Sequence, residues 1–369
     1  MEKSKVYFTS MKTGTHTNLP KKLKKLILKA GIGDIDFEKK YAAIKMHFGE
    51  PGNLAFLRPN YAKVVVDTVK ELGGKPFLTD CNTLYVGGRK NALDHLDSAY
   101  ENGFSPFSTG CHVIIADGIK GTDEVEVPVE GGTYVKNAKI GHAIMDADVF
   151  LTLTHFKGHE ATGFGGCLKN IGMGCGSRAG KMEMHSAGKP HVDHELCVGC
   201  KMCTRQCAHG AITVENKKAT IDHSKCVGCG RCIGACPQDA VLPASDESND
   251  ILNCKIAEYS KAVLERRPSF HISLVIDVSP NCDCHAENDL PIVPDVGMFA
   301  SFDPVALDVA CADAVNRQPA IAGSVLDEAD ACGHDHFGAV APTTNWRSCV
   351  EHAAKIGLGS LEYELVEVE

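Results

Sequence analysis

The chain has 369 residues, 44% of them hydrophobic, with 18 cysteines, one tryptophan and a formal net charge of -9. That length gives room for two or three domains and a sizeable buried core. The composition excludes a disordered chain, a collagen-like repeat and a disulfide-built miniprotein, and the acidic balance argues against nucleic acid as a partner.

The segment Met1 to Phe8 lacks a long apolar run followed by a small-residue cleavage site. Apolar runs such as Val149-Phe150-Leu151 are strand-length, so no membrane span is expected. A cytoplasmic setting follows, where thiols stay reduced and clustered cysteines mean metal or redox chemistry. Lys21 to Lys29 reads as a surface helix, with Leu23, Leu26, Ile27 and Ala30 on one face. Tyr41 to Phe48 predicts a strand with Ala42, Ile44, Met46 and Phe48 on one side. Tyr61 to Leu72 predicts a helix that Gly73-Gly74 stops. Phe77 to Thr79, Val113 to Ala116 and Val149 to Thr154 suit buried strands, and Ala138 to Asp146 has helical spacing. This β-α-β rhythm predicts an α/β body with a mainly parallel sheet.

From about His191 to Leu242 the chain becomes cysteine-rich and glycine-punctuated, in two similar halves. A helix is then expected over Ile251 to Leu264 and a strand over His271 to Val278. A further helix should run to about Val315, with Asp303 as N-cap and Pro304 as its first residue. The expected organisation is an α/β body over 1–190 and 246–369, interrupted by an α+β ferredoxin-like insert over 191–245.

The insert carries Cys197-x2-Cys200-x2-Cys203-x3-Cys207 and then Cys226-x2-Cys229-x2-Cys232-x3-Cys236-Pro237. This is the bacterial two-cluster ferredoxin spacing, in which the fourth cysteine of each run closes the other cluster. It assigns Cys197, Cys200, Cys203 and Cys236 to one [4Fe–4S] cluster, and Cys226, Cys229, Cys232 and Cys207 to a second. The fourth cysteine of each run is expected to start a helix. Gly199 and Gly228 would let the loops turn tightly. Ile212 to Val214 and Ala219 to Ile221 read as the hairpin between the halves. Zinc is the alternative occupant, since thiolates suit it too.

Together with Lys45-Met46-His47-Phe48-Gly49-Glu50, Thr154-His155-Phe156-Lys157-Gly158-His159, Leu168 to Cys175, Cys282-Asp283-Cys284 and Phe302 to Asp308, the chain resembles a family catalogued only as domain of unknown function 362, here with an inserted two-cluster ferredoxin module. The resemblance implies an α/β fold and a redox association.

Of the other ten cysteines, Cys81, Cys111, Cys254, Cys311, Cys332 and Cys349 read as packing residues, and Cys167 as a weaker site candidate. Cys282 and Cys284 follow a strand end, and Cys175 lies in the glycine-rich stretch Gly172 to Gly176, expected to be a loop. These three are candidate ligands of a third metal centre, with a fourth ligand from His185, from substrate or from none; the alternative is a free, redox-active thiol pair or a Cys-x-Cys that serves only packing. His155, Lys157, His159 and Lys169 are the candidate catalytic residues. With Asn170, His47 and Glu50 they would line a pocket for a small anionic substrate. Gly163 to Gly166 and Gly172 to Gly174 do not match the dinucleotide fingerprint, so no NAD is expected. The chain thus reads as an iron–sulfur oxidoreductase that exchanges electrons with a redox partner protein, donor or acceptor. The alternative is a non-catalytic electron-transfer or cluster-handling protein.

Overall fold

A computed structural model describes residues 3–84, 87–185, 189–207, 209–226, 231–243, 248–329 and 335–369. Eight strands form the central sheet: β1 (Ser4–Ser10), β2 (Tyr41–Lys45), β3 (Lys75–Asp80), β4 (Val113–Ile115), β5 (Val149–His155), β6 (Ser269–Val275), β7 (Gly297–Ser301) and β8 (Tyr363–Glu367). Their spatial order is β8-β1-β7-β6-β5-β2-β3-β4. Only β7 runs against its neighbours; the other pairings are parallel. The fold is therefore mixed α/β around a large, mostly parallel sheet.

Both faces of this sheet are covered, which is why its central strands β5 and β6 are buried along nearly their whole length. Ala42, Ile44, Leu151, Leu153, Ile272 and Leu274 point to one side. There they meet the helices Leu19–Lys29 and Pro59–Glu71. Ala43, Phe150 and Phe299 point to the other, against Cys167–Cys175, Asn249–Leu264 and Pro304–Asn316. Leu23, Leu26 and Ile27 are the buried stripe of the first helix, so its lysines face outward as the spacing predicts. Asp303 caps the helix Pro304–Asn316, accepting from the N–H groups of Val305 and Ala306 at 2.9 and 3.0 Å.

Two local expectations are overturned. Ala138 to Asp146 is not one helix: Asn137–Gly141 is a strand paired with Glu124–Pro128, and only His142–Met145 is helical. Ala138 and Ile140 are both buried, a period of two that pairing satisfies better than a helix. Gly172 to Gly176 is not a loop either, because Cys167–Cys175 is helical. Its glycines serve close packing: a Cβ on Gly172 would strike the carbonyl of Ile256, and one on Gly174 the ammonium of Lys45.

The strand ends decide where chemistry can occur. β6, β5, β2 and β3 are adjacent and parallel, so their carboxyl ends open along one edge of the sheet. That edge is where open α/β sheets expose functional loops.

Candidate functional site

A cavity of about 770 Å³, counting its open mouth, lies at this edge. Lys45 and His47 reach it from the end of β2, Asp80 and Leu84 from β3, Lys157 and His159 from β5, and Cys282 and Cys284 from the segment after β6. Lys169 and Asn170 enter from the helix Cys167–Cys175, and Lys181 and His185 from the helix Arg178–His185.

Several of its charges are neutralised in pairs. Lys45 Nζ lies 2.9 Å from Asp80 and 2.8 Å from Asn170 Oδ1. Arg89 Nε lies 2.7 Å from Glu50, and Arg89 Nη1 2.8 Å from His47 Nε2. Burial and then Arg89 hold His47 well below the usual imidazole range, so its ring is neutral.

The segment Cys282-Asp283-Cys284 is fixed by its middle residue. Asp283 is fully buried and meets His155 Nδ1 at 2.9 and 3.0 Å and Lys157 Nζ at 3.3 Å. His155 Nε2 donates to the carbonyl of Ile276 at 2.8 Å, so both its ring nitrogens are engaged. Burial opposes charge on Asp283, but His155 and Lys157 outweigh it and hold the carboxyl low. With Asp283 turned inward, the two flanking thiols can face the cavity.

Those thiols are unlike. Cys282 is held well below the ordinary thiol range, first by a hydrogen bond from Cys284 and then, against burial, by Lys169 and His159. Cys284 is pushed well above it, by donating to Cys282 and by burial. Lys169 Nζ lies 3.5 Å from Cys282 Sγ, and the backbone N–H of Cys284 lies 3.4 Å from it. Burial disfavours charge on Lys169, yet Cys282 and Cys284 raise its pKa overall.

Donor atoms of His159, Cys282 and Cys284 lie within 4.8 Å of one another, a spacing a metal ion can bridge. Cys175 is not in that group. It is buried in the apolar layer beneath the sheet, where its carbonyl accepts from Cys81 Sγ at 3.4 Å and burial pushes its thiol up to about 12. Cys175 is thus not brought together with Cys282 and Cys284, because it ends a helix that faces the core.

His159 is constrained further. Its Nδ1 accepts the backbone N–H groups of Ala161 at 3.0 Å and Thr162 at 3.2 Å. The ring proton therefore sits on Nε2. A histidine that ligates a metal through one nitrogen normally donates from the other, and here the other nitrogen is already an acceptor. This arrangement suits a proton donor to Cys282 better than a metal ligand.

The cysteine-rich region repeats itself in space. Pro190–Val192 pairs antiparallel with Val241–Pro243, and Ile212–Glu215 with Lys218–Ile221. Contacts then recur between the halves. His194 Nε2 meets the carbonyl of Ala219 at 2.9 Å, and His223 Nε2 that of Pro190 at 2.8 Å. Asp193 N–H donates to Ala240, and Asp222 N–H to Ala211, at 2.8 and 2.7 Å. Cys197, Cys200, Cys203 and Cys236 line one small cavity. Backbone N–H groups of Ala219, Ala211 and Ala240 lie 3.3 Å from the sulfurs of Cys197, Cys207 and Cys236. Gly199 has φ +69° against the backbone of Lys217, as its tight turn requires.

Cys207 and Cys236 follow the short helices Met202–Gln206 and Arg231–Ala235, and do not start helices as expected. Cys207 and Cys232 belong to the same apolar cluster as the first set. Cys229, Gly228 and Cys332 lie outside the described residues.

Of the four catalytic candidates, Lys157, His159 and Lys169 line the large cavity, whereas His155 sits behind it, holding Asp283. Sequence reasoning missed Arg89, Asp80 and Lys181. No motif marks them, since each meets the cavity only through packing.

A family model described as domain of unknown function (DUF362) matches residues 42–313. No curated protein matches the chain. A solved protein from Thermotoga maritima aligns at 13% identity and a TM-score of 0.42, over 79% of this chain and 57% of its own. Lactate racemase apoprotein from Thermoanaerobacterium thermosaccharolyticum aligns at 11% and 0.35, over 72% and 46%. The chain thus spans about half the length of these solved relatives. Among the described residues, no helix is long and apolar enough to cross a membrane.

Proposed function

The chain belongs to the DUF362 family, and from that premise we propose that it is a cytoplasmic iron–sulfur oxidoreductase, with a ferredoxin-like insert over 191–245 and a reaction site in the α/β body. Cys197, Cys200, Cys203 and Cys236 would hold one [4Fe–4S] cluster, and Cys226, Cys229, Cys232 and Cys207 the other. Such clusters store and pass single electrons, here between a redox partner protein and a small anionic substrate.

One observation carries the reading: four cysteines from both runs open onto a single cavity, in the combination the doubled spacing pairs. Backbone N–H groups at the sulfurs support it, because they offset thiolate charge. The body provides the join. Leu84 and Met182 pack into the apolar cluster that contains Cys197, Cys203 and Cys232, and Leu84 is also a wall of the large cavity. Lys90 reaches Asp239 and the carbonyl of Cys236, and Lys120 Nζ lies 3.1 Å from Gln206. These contacts join the cysteine-rich region to the body beside a wall of the cationic site, which favours an oxidoreductase over a free carrier.

Anaerobic reconstitution of the full chain tests this. The expectation is about eight irons and as many sulfides per chain, falling by about four in Cys197→Ser. Bound zinc without sulfide would refute it.

A further inference from the structure

The cavity in the α/β body contains a device that electron transfer alone does not need. Among the described residues, its lining carries five cationic side chains, Lys45, Arg89, Lys157, Lys169 and Lys181, against one carboxylate, that of Asp80. Three of the five have carboxylate partners: Lys45 with Asp80, Arg89 with Glu50, and Lys157 with Asp283. Lys169 instead points its ammonium at the sulfur of Cys282, 3.5 Å away.

That sulfur is surrounded by donors. Lys169 Nζ and the N–H of Cys284 both aim at it, and the only ring proton of His159 is on the nitrogen that its backbone contacts leave free. Asp283 locks the segment from behind through His155 and Lys157. A sulfur so placed is an acceptor that carries the charge itself, and His159 is oriented to donate rather than to bind a metal ion.

We propose that Cys282 is a nucleophilic thiolate, with Cys284 and Lys169 as its positioning partners, and that the cavity takes a small carboxylate bearing an electrophilic carbon. The inference rests on the cavity of the reading above and not on its clusters. Lys169 stands beside the sulfur, so the substrate's carboxylate and its electrophilic carbon are drawn to one place. With iodoacetate as the probe, the Cys282 sulfur supplies the electron pair for a new S–C bond. The C–I bond breaks and iodide leaves with its pair; no proton is exchanged, and the thiolate charge is lost.

The experiment compares alkylation of Cys282 by iodoacetate and by neutral iodoacetamide in the anaerobic full-length protein, followed peptide by peptide by mass spectrometry. Relative to a small free thiol, Cys282 should prefer iodoacetate by about tenfold, the scale at which a cationic cleft concentrates an anion. Lys169→Met should abolish that preference, and Lys169→Arg should keep it, which separates loss of charge from loss of fold. Equal rates with the two reagents would overturn the proposal, as would protection of Cys282 until the chain is unfolded. It would also fail if the iron count were about twelve and fell in Cys282→Ala. A chain that binds no iron but keeps the iodoacetate preference would refute the cluster reading and leave this one standing.

Discussion

The two cysteine-bearing regions differ in what completes them. In the α/β body, the buried charges around the cavity are matched by protein partners: Lys45 by Asp80, Arg89 by Glu50, and His155 and Lys157 by Asp283. Two large apolar layers hold these groups in place from the two faces of the sheet. Among the described residues, the cysteine-rich region has one small apolar cluster of ten buried residues, of which Cys197, Cys203 and Cys232 are three and the body's Leu84 and Met182 are two more. A segment of that size buries too little to be stable alone. The body is folded by its own packing, while on the proposed reading the cysteine-rich region would depend on the clusters its sulfurs hold.

The comparison breaks most visibly when iron is withheld. Metal binding by such a region is folding free energy, about 10 kcal/mol or more for well-studied structural sites. Without iron, limited proteolysis should cut within 191–245 while the body stays intact and keeps its far-ultraviolet helix signal. Equal resistance with and without iron would erase the distinction.

A smaller effect tests the body's matched charges. Asp283→Ala leaves His155 and Lys157 buried against no carboxylate and should cost about 3–5 kcal/mol. Urea unfolding of the body should register that loss. A loss below about 1 kcal/mol would mean that the segment is not held through Asp283.

The mildest test is acid. Burial lowers His95 and His271 to about 3, so both stay neutral in the folded body. Unfolding returns them to an ordinary value near 6.5, and the unfolded chain then binds the protons. Their contribution is complete above about pH 6.5 and is lost as pH falls from there toward about 3, by about 1.4 kcal/mol per unit for each ring. Denaturant midpoints measured between pH 7 and 5 should drop accordingly. Burial raises Asp117 and Asp308 to about 6 and about 7, which opposes that drop over the same range, so the rings are checked directly by NMR: a His95 or His271 ring that titrates near 6.5 in the folded chain would overturn the prediction.

Much of the body was legible because its signals are local. The apolar runs of β2 and β5 show directly in the sequence, and Asp303-Pro304 is a cap any reader can find. The misreadings arose where a local signal had two structural uses. The glycines at 172 and 174 suggested a loop, but they let a helix approach Ile256 and Lys45. Cys175 looked like a partner for Cys282 until the direction of that helix turned it toward the core.

By itself, the sequence determined the parallel α/β rhythm, the doubled cysteine spacing and the choice of the Cys282-Asp283-Cys284 segment, since each depends on residues close together along the chain. Only the tertiary structure decided that Asp283 faces inward, that Lys169 stands over Cys282, and that Arg89, Asp80 and Lys181 share the cavity. These pairings join strand ends and helices far apart in sequence. They arise because parallel strands bring their carboxyl ends to one edge, which no local period encodes.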